Sequence, residues 1–404
     1  MKKIVCIVLC VAMLASVAVV FAGCNNVPRE EQLKIYLPGE YMDYDIFEEF
    51  ESYYLEKTGK RVKVMPEDFE AVEDIQREVE VRHADYDLIC PSDYMVEYLI
   101  KKELLLPVDK NVLDVEQEGL FRSEYLETAR EFDPQLQYAV PYMYGTLGLV
   151  YDITKTGKQI DSWEALYGTE FVNRRSLKDS IRDTYVSACI YNARNELAGL
   201  EGVQQKEAVQ AIFEDASVAT VNKAETLLKS VKSGSVWDVD DVKFDMAAGK
   251  STAPAVALMW SCDAGYVMND YEDAAGKEQD GNRNMWYVVP KEGGNVYIDA
   301  FVINKYAVNV DAANEFLAFL CRKDIALLNS KYAGAISPVK AAYDELYETY
   351  KTDDEMFEGT QPGWKEMFIE TMFPSAETLN RCGVMKDFDA ADYENISRMW
   401  SRLQ

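Results

Sequence analysis

A carboxylate interrupts an apolar, strand-like run. Asp299 stands among Val296, Tyr297, Ile298, Ala300, Phe301, Val302 and Ile303. A charge in such surroundings is costly unless it meets a cation or several hydrogen-bond donors. Its partner is therefore either a Lys or Arg buried with it or a cation supplied from outside. Asp183, beside Arg182, is a second acid, suited to hold an ammonium or to serve as the N-terminal acid of a helix. Trp260 ends the apolar run Val256–Trp260. Its indole and the rings of Tyr41, Tyr94 and Tyr297 either pack in a core or present faces to a cation.

Other chemistries are bounded by what is scarce. With one histidine, His83, histidine-rich zinc sites and serine–histidine triads are nearly excluded. After Cys24 come Cys90, Cys189, Cys262, Cys321 and Cys382. They are odd in number and lack a Cys-x-x-Cys pair, so they read as buried free thiols. No metal or cofactor is expected. Acidic residues outnumber basic ones 70 to 42, a net charge of −28. That field repels nucleic acid and anionic lipid and draws in cations. Carboxylates and aromatics are what remains.

The elements that must position these residues alternate. Leu33–Leu37 is strand-like. Asp45–Thr58 places Ile46, Phe47, Phe50, Tyr53 and Tyr54 on one helical face, and Gly59 stops it. A strand over Arg61–Met65, a charged helix over Phe69–His83 and a strand over Tyr86–Cys90 follow. Ser92 and Asp93 can cap a helix running to about Leu105. This β-α-β-α-β-α start implies a parallel sheet with ligands at the carboxyl ends of its strands. Beyond it, the capping-box-like Asp161–Glu164 opens a short helix. Longer helices are expected over Arg182–Ala198, Lys206–Val231 and Asp311–Tyr332, and a buried strand over Val256–Trp260. Two extended apolar segments, Tyr138–Tyr151 and Trp286–Asn304, flank the middle section and are expected to cross between two lobes. At 404 residues the chain exceeds one hydrophobic core.

The N-terminus, MKK and then an apolar run from Ile4 to Ala22, reads as an export signal over residues 1–23. Such a run is also long enough to be an uncleaved anchor. Ala22-Gly23-Cys24 resembles a bacterial lipoprotein signal, which implies lipidation of Cys24 and a tether over residues 24–32. Removal of the leader leaves 40 basic against 70 acidic residues.

Taken in order, IYLPGEY (35–41), YDLICPSDYMVEYL (86–99), FDPQLQYAVPYMYGTLGLVYD (132–152), DSWEALYG (161–168), DSIRDTY (179–185), LMWS (258–261), VVPKEGGNVYIDAFVIN (288–304) and FPSAETL (373–379) resemble the periplasmic spermidine/putrescine-binding proteins of ABC importers. The resemblance implies an α/β, two-lobed periplasmic-binding-protein fold of type II. Each lobe is then a mixed sheet flanked by helices, with the ligand cleft between them. It places lobe 1 at residues 33–140 and 298–345, and lobe 2 at 141–297 and 346–404. It implies a polyamine ligand, spermidine or putrescine, ABC permease subunits as partners, a lipid anchor in the membrane, and no reaction. Carried over by position, Tyr41, Ser92, Asp93, Tyr94, Ser180, Asp183, Trp260, Tyr297 and Asp299 bind the ligand, with Asp299 gripping its central part. Pro38, Gly39, Ala335 and Met385 depart from residues common in the family.

A polyamine alternates methylenes with ammonium groups, so its site needs flat apolar walls and carboxylates at intervals. The rival readings are the same fold binding another organic cation or a zwitterion, an exported glycosidase using two acids, and a surface adhesion protein.

Overall fold

The computed structural model describes residues 27–69, 71–238, 241–272, 278–279 and 281–404. The export signal and Cys24 lie outside the described residues. Alternating burial and β-branched or aromatic residues make the early strands. These are β1 (Gln32–Pro38), β2 (Lys63–Phe69), β3 (Leu88–Ile89) and β4 (Leu105–Leu106). β1 lies parallel between β2 and β3, as the β-α-β start requires. β5 (Val140–Asp152) is buried along its whole length. It is followed by β6 (Arg175–Lys178), β7 (Val236–Asp238) and β8 (Val256–Trp260). A small pair, β9 (Tyr271–Glu272) and β10 (Glu278–Gln279), stands apart. β11 (Met285–Val288), β12 (Gly294–Asn304) and β13 (Cys382–Gly383) complete the set.

One sheet runs β2-β1-β3-β12-β5-β8-β6-β7. β12 is its pivot. Its C-terminal residues Val302 and Ile303 pair antiparallel with Ile89 and Leu88, while its first part, from Asn295 to Asp299, pairs with β5. The two long extended segments are thus adjacent antiparallel strands, and the α/β class with a mixed sheet is as expected. The segment Trp286–Asn304 is not continuous. It breaks between β11 and β12, where Gly293 takes φ 116.

Several expected helices are interrupted, each for a local reason. Only Glu73–Gln76 and Arg77–Val81 are helical within Phe69–His83, with Ile75 and Val79 as the buried anchors; Phe69 instead ends β2. Lys206–Val231 divides into Gly202–Phe213 and Val218–Lys232, because the Ser217 hydroxyl caps Thr220 N and starts a new helix. Asp311–Tyr332 divides into Val310–Leu320 and Lys323–Ala333 at Arg322, which is extended at φ −65, ψ 138. Phe50 on the helix Asp45–Thr58 meets Phe316 edge to face at 4.8 Å, which locks two helices over the β1–β3 side of the sheet. No described helix is long and apolar enough to cross a membrane.

Candidate ligand-binding site

Asp299 sits where β12 changes neighbours. The register with β5 shifts between Asp299, opposite Met143, and Ala300, opposite Pro141, leaving Tyr142 as the extra residue of a bulge. On the other side a single bridge joins Asp299 to Ser92. The bulge leaves the carboxylate beside the N-terminus of the helix Asp93–Lys101.

Two hydroxyls hold it. Ser92 Oγ donates to Asp299 Oδ1 at 2.6 Å, and Tyr41 Oη donates to Oδ2 at 2.6 Å. Ser92 is the N-cap residue of its helix but makes no side-chain cap, since its hydroxyl is committed to Asp299. Tyr41 is itself fixed by Tyr142, whose hydroxyl donates to the Tyr41 carbonyl at 2.8 Å and whose ring stands edge-on to it. Among the described residues no Lys, Arg or His pairs with Asp299. Burial pushes its pKa up to about 6, against the pull of the two hydroxyls. Tyr297, two residues earlier on the same face of β12, donates to Cys262 Sγ at 3.3 Å. It lies over Gly145 of β5, where a Cβ would overlap the Tyr297 hydroxyl.

Asp93 adjoins this acid end but is fully buried. Its Oδ1 accepts from Tyr94 N at 2.7 Å, and Oδ2 has no partner among the described residues. Burial, with the nearby Asp299 charge, raises its pKa well above the ordinary aspartate value. The Tyr94 hydroxyl donates to Glu73 at 3.1 Å, and its ring is covered by the Arg182 guanidinium at 3.7 Å from the centroid.

The remaining residues of the candidate site are carried by β6, β8 and the helix Ile181–Asn192. Ser180 is that helix's N-cap, accepting from Asp183 N. Asp183 is buried, which raises its pKa; nearby Lys178, the Ser180 hydroxyl and the Trp260 indole oppose the shift. Trp260 is half-buried, with its ring 6.5 Å from that of Tyr297. Lys178 Nζ lies over the Trp260 ring at 3.5 Å from its centroid. Lys178 also pairs with Asp263 at 3.2 Å, and Lys243 reaches the same carboxylate at 3.4 Å.

The structure therefore gathers Tyr41, Ser92, Asp93, Tyr297 and Asp299 at one end and Ser180, Asp183 and Trp260 at the other, with Tyr94 roofed by Arg182. Tyr142, Lys178, Arg182 and Asp263 were not singled out from the sequence as site residues. Lys178 ends a strand buried at all four positions, but its neighbours Arg174, Arg175, Ser176, Asp179 and Ser180 are polar, so no apolar run marked its charge. Of the departing residues, Ala335 and Met385 are buried. Among the described residues no group of three or more His, Cys, Asp or Glu is placed to hold a metal. The described cysteines are free thiols, buried except for the half-buried Cys262.

Residues 45–358 match the family described as bacterial extracellular solute-binding protein. Among curated relatives, a putrescine/cadaverine-binding protein of Pseudomonas aeruginosa is 21% identical over 96% of this chain and 98% of its own. A putrescine/agmatine-binding protein of the same organism is 25% identical over 87% of each. Among solved structures, the spermidine/putrescine ABC transporter substrate-binding protein PotD of Streptococcus pneumoniae superposes with a TM-score of 0.67 at 23% identity, covering 92% of this chain and 98% of that one. That likeness is one of fold: the two-lobed periplasmic-binding-protein arrangement.

Proposed function

This chain belongs to the bacterial extracellular solute-binding protein family, and we propose that it captures putrescine or spermidine outside the cytoplasm and delivers it to an ABC transporter permease. No bond is made or broken; the event is closure of lobe 1 (33–140 and 298–345) on lobe 2 (141–297 and 346–404) about β5 and β12. Lipidation of Cys24, as an anchor to the membrane, belongs to the same reading.

One observation carries it. The Asp299 carboxylate is buried, oriented by Ser92 and Tyr41, and paired with no cation among the described residues. A ligand ammonium supplies the missing charge as a charge-assisted hydrogen bond at low local dielectric. Tyr41 and Tyr297 offer the faces on which methylenes pack. The relatives named for putrescine support the same choice of ligand.

A thermal-shift and calorimetric panel of putrescine, spermidine, arginine, 4-aminobutyrate and a neutral sugar tests it. A ligand at 100 times its dissociation constant adds about 2.7 kcal/mol, and each kcal/mol raises Tm by about 2–4 °C in lobes of this size. The polyamines should raise Tm by several degrees and the others should not. A larger response to an amino acid than to either polyamine would overturn the reading.

A further inference from the structure

The Trp260 end of the site already holds a cation of the chain's own. Lys178 closes β6, a strand buried at all four positions. Its ammonium covers a face of Trp260 at 3.5 Å from the centroid and is fixed there by Asp263 at 3.2 Å. Lys243 approaches the same Asp263, and Arg182 covers the neighbouring Tyr94. At the far end Asp299 meets two hydroxyls and, among the described residues, no cation. The two ends thus differ in electrostatic character along one site.

We propose that Lys178 is a built-in ammonium standing in for the last amine of a longer ligand, so that this site accepts a diamine and discriminates against a triamine. The proposal rests on the polyamine reading above and makes it more specific. Asp299 matches one ligand ammonium. Asp183, near the Lys178 charge and bonded to Ser180 and Trp260, makes no salt bridge among the described residues and matches at most one more. Asp263 is committed to Lys178 and Lys243. Asp93 is buried against the Tyr94 amide. A third ammonium would have to approach Lys178, and like charges in a desolvated cleft repel strongly. The indole face that would otherwise attract it is taken. Discrimination of this kind comes from a repulsive element rather than from better contacts to the preferred ligand.

Titration calorimetry of putrescine and spermidine, with the whole protein, decides the matter. Wild type should bind putrescine at least about tenfold more tightly than spermidine, a difference of about 1.4 kcal/mol. Lys178→Met should reduce that preference about tenfold or more, and Lys178→Arg, which keeps the charge, should hold it within about twofold. Lys178→Met leaves Asp263 with Lys243 alone, so a Lys178→Met/Asp263→Asn double variant keeps the test readable if the single variant does not fold. A merely structural role for Lys178 would weaken both ligands together and leave their ratio unchanged. An unchanged ratio in the methionine variants, or no preference in wild type, overturns the inference while the polyamine reading stands. Failure of both ligands to bind any of these proteins overturns both.

Discussion

Asp299 and Asp263 are buried alike, at 9% and 6% exposure, yet among the described residues cations reach Asp263 and not Asp299. Burial is the largest influence on each and acts in the same direction. Lys178 and Lys243 overcome it at Asp263, whose pKa falls below the usual carboxylate value. Two hydroxyls do not overcome it at Asp299, whose pKa rises to about 6. One acid is paired with cations of the chain; the other, among the described residues, is held by hydroxyls alone.

Polyamine affinity should therefore weaken in mild acid. Below about pH 6 Asp299 is protonated and offers an ammonium no counter-charge, so binding must expel a proton. The dissociation constant should rise about tenfold per pH unit below that pKa and level off above it. Calorimetry across about pH 4.5 to 8 reads this slope, and a flat profile would remove Asp299 from the role of counter-ion.

Asp299→Asn separates ligand binding from stability. A carboxyl whose folded pKa stands above its unfolded value costs the folded state at high pH, and the cost is relieved as pH falls from about 6 to 4. The shift from 3.8 to about 6 bounds that cost at roughly 3 kcal/mol. At pH 8 the unliganded variant should be as stable as wild type or more so, while polyamine binding weakens by about 2–5 kcal/mol. A large loss of denaturation midpoint with affinity intact would make Asp299 structural.

Asp263→Asn should do the opposite. Removing the acid takes a buried counter-charge from Lys178 and Lys243, at a cost of up to about 3–5 kcal/mol. Because the pKa of Asp263 is depressed, its contribution is complete at neutral pH and is lost only in acid as pH falls through the folded value. Urea denaturation at pH 7 checks the loss; wild-type stability would show that other groups satisfy the lysines.

Gly145→Ala tests the close approach of β5 to Tyr297. A Cβ there overlaps the Tyr297 hydroxyl and the Ser261 Oγ, so the ring must move away from the site. A stability loss of about 1–3 kcal/mol is expected, together with weaker polyamine binding. Unchanged binding would mean that Tyr297 is not a wall of the site.

That Asp299 is a buried acid needing partners was legible because a charge in an apolar strand-like run violates a local rule. That β5 and β12 are long buried strands was legible from their length and apolar content. Ser92 was read as a helix cap, which its position is, but its hydroxyl bonds a residue 207 positions away, and no periodicity reports such a contact. The Lys178–Asp263 pair spans 85 positions and was missed for the same reason. The breaks at Ser217 and Arg322 were lost beneath continuous helical patterning, since one residue there outweighs the amphipathic stripe on either side.

The place of β12 between β3 and β5 has a consequence for the emerging polypeptide. Strands β1 to β8 are all synthesised before it, so β3 and β5 wait with unpaired edges while the whole middle section is made. Open apolar edges are templates for pairing with another copy, and partners so distant along the chain make ordering slow. A chain arrested before Gly294 should consequently aggregate or occupy a chaperone rather than release a finished first half, and both halves of the sheet become soluble at one late moment, when the strand bearing Asp299 arrives.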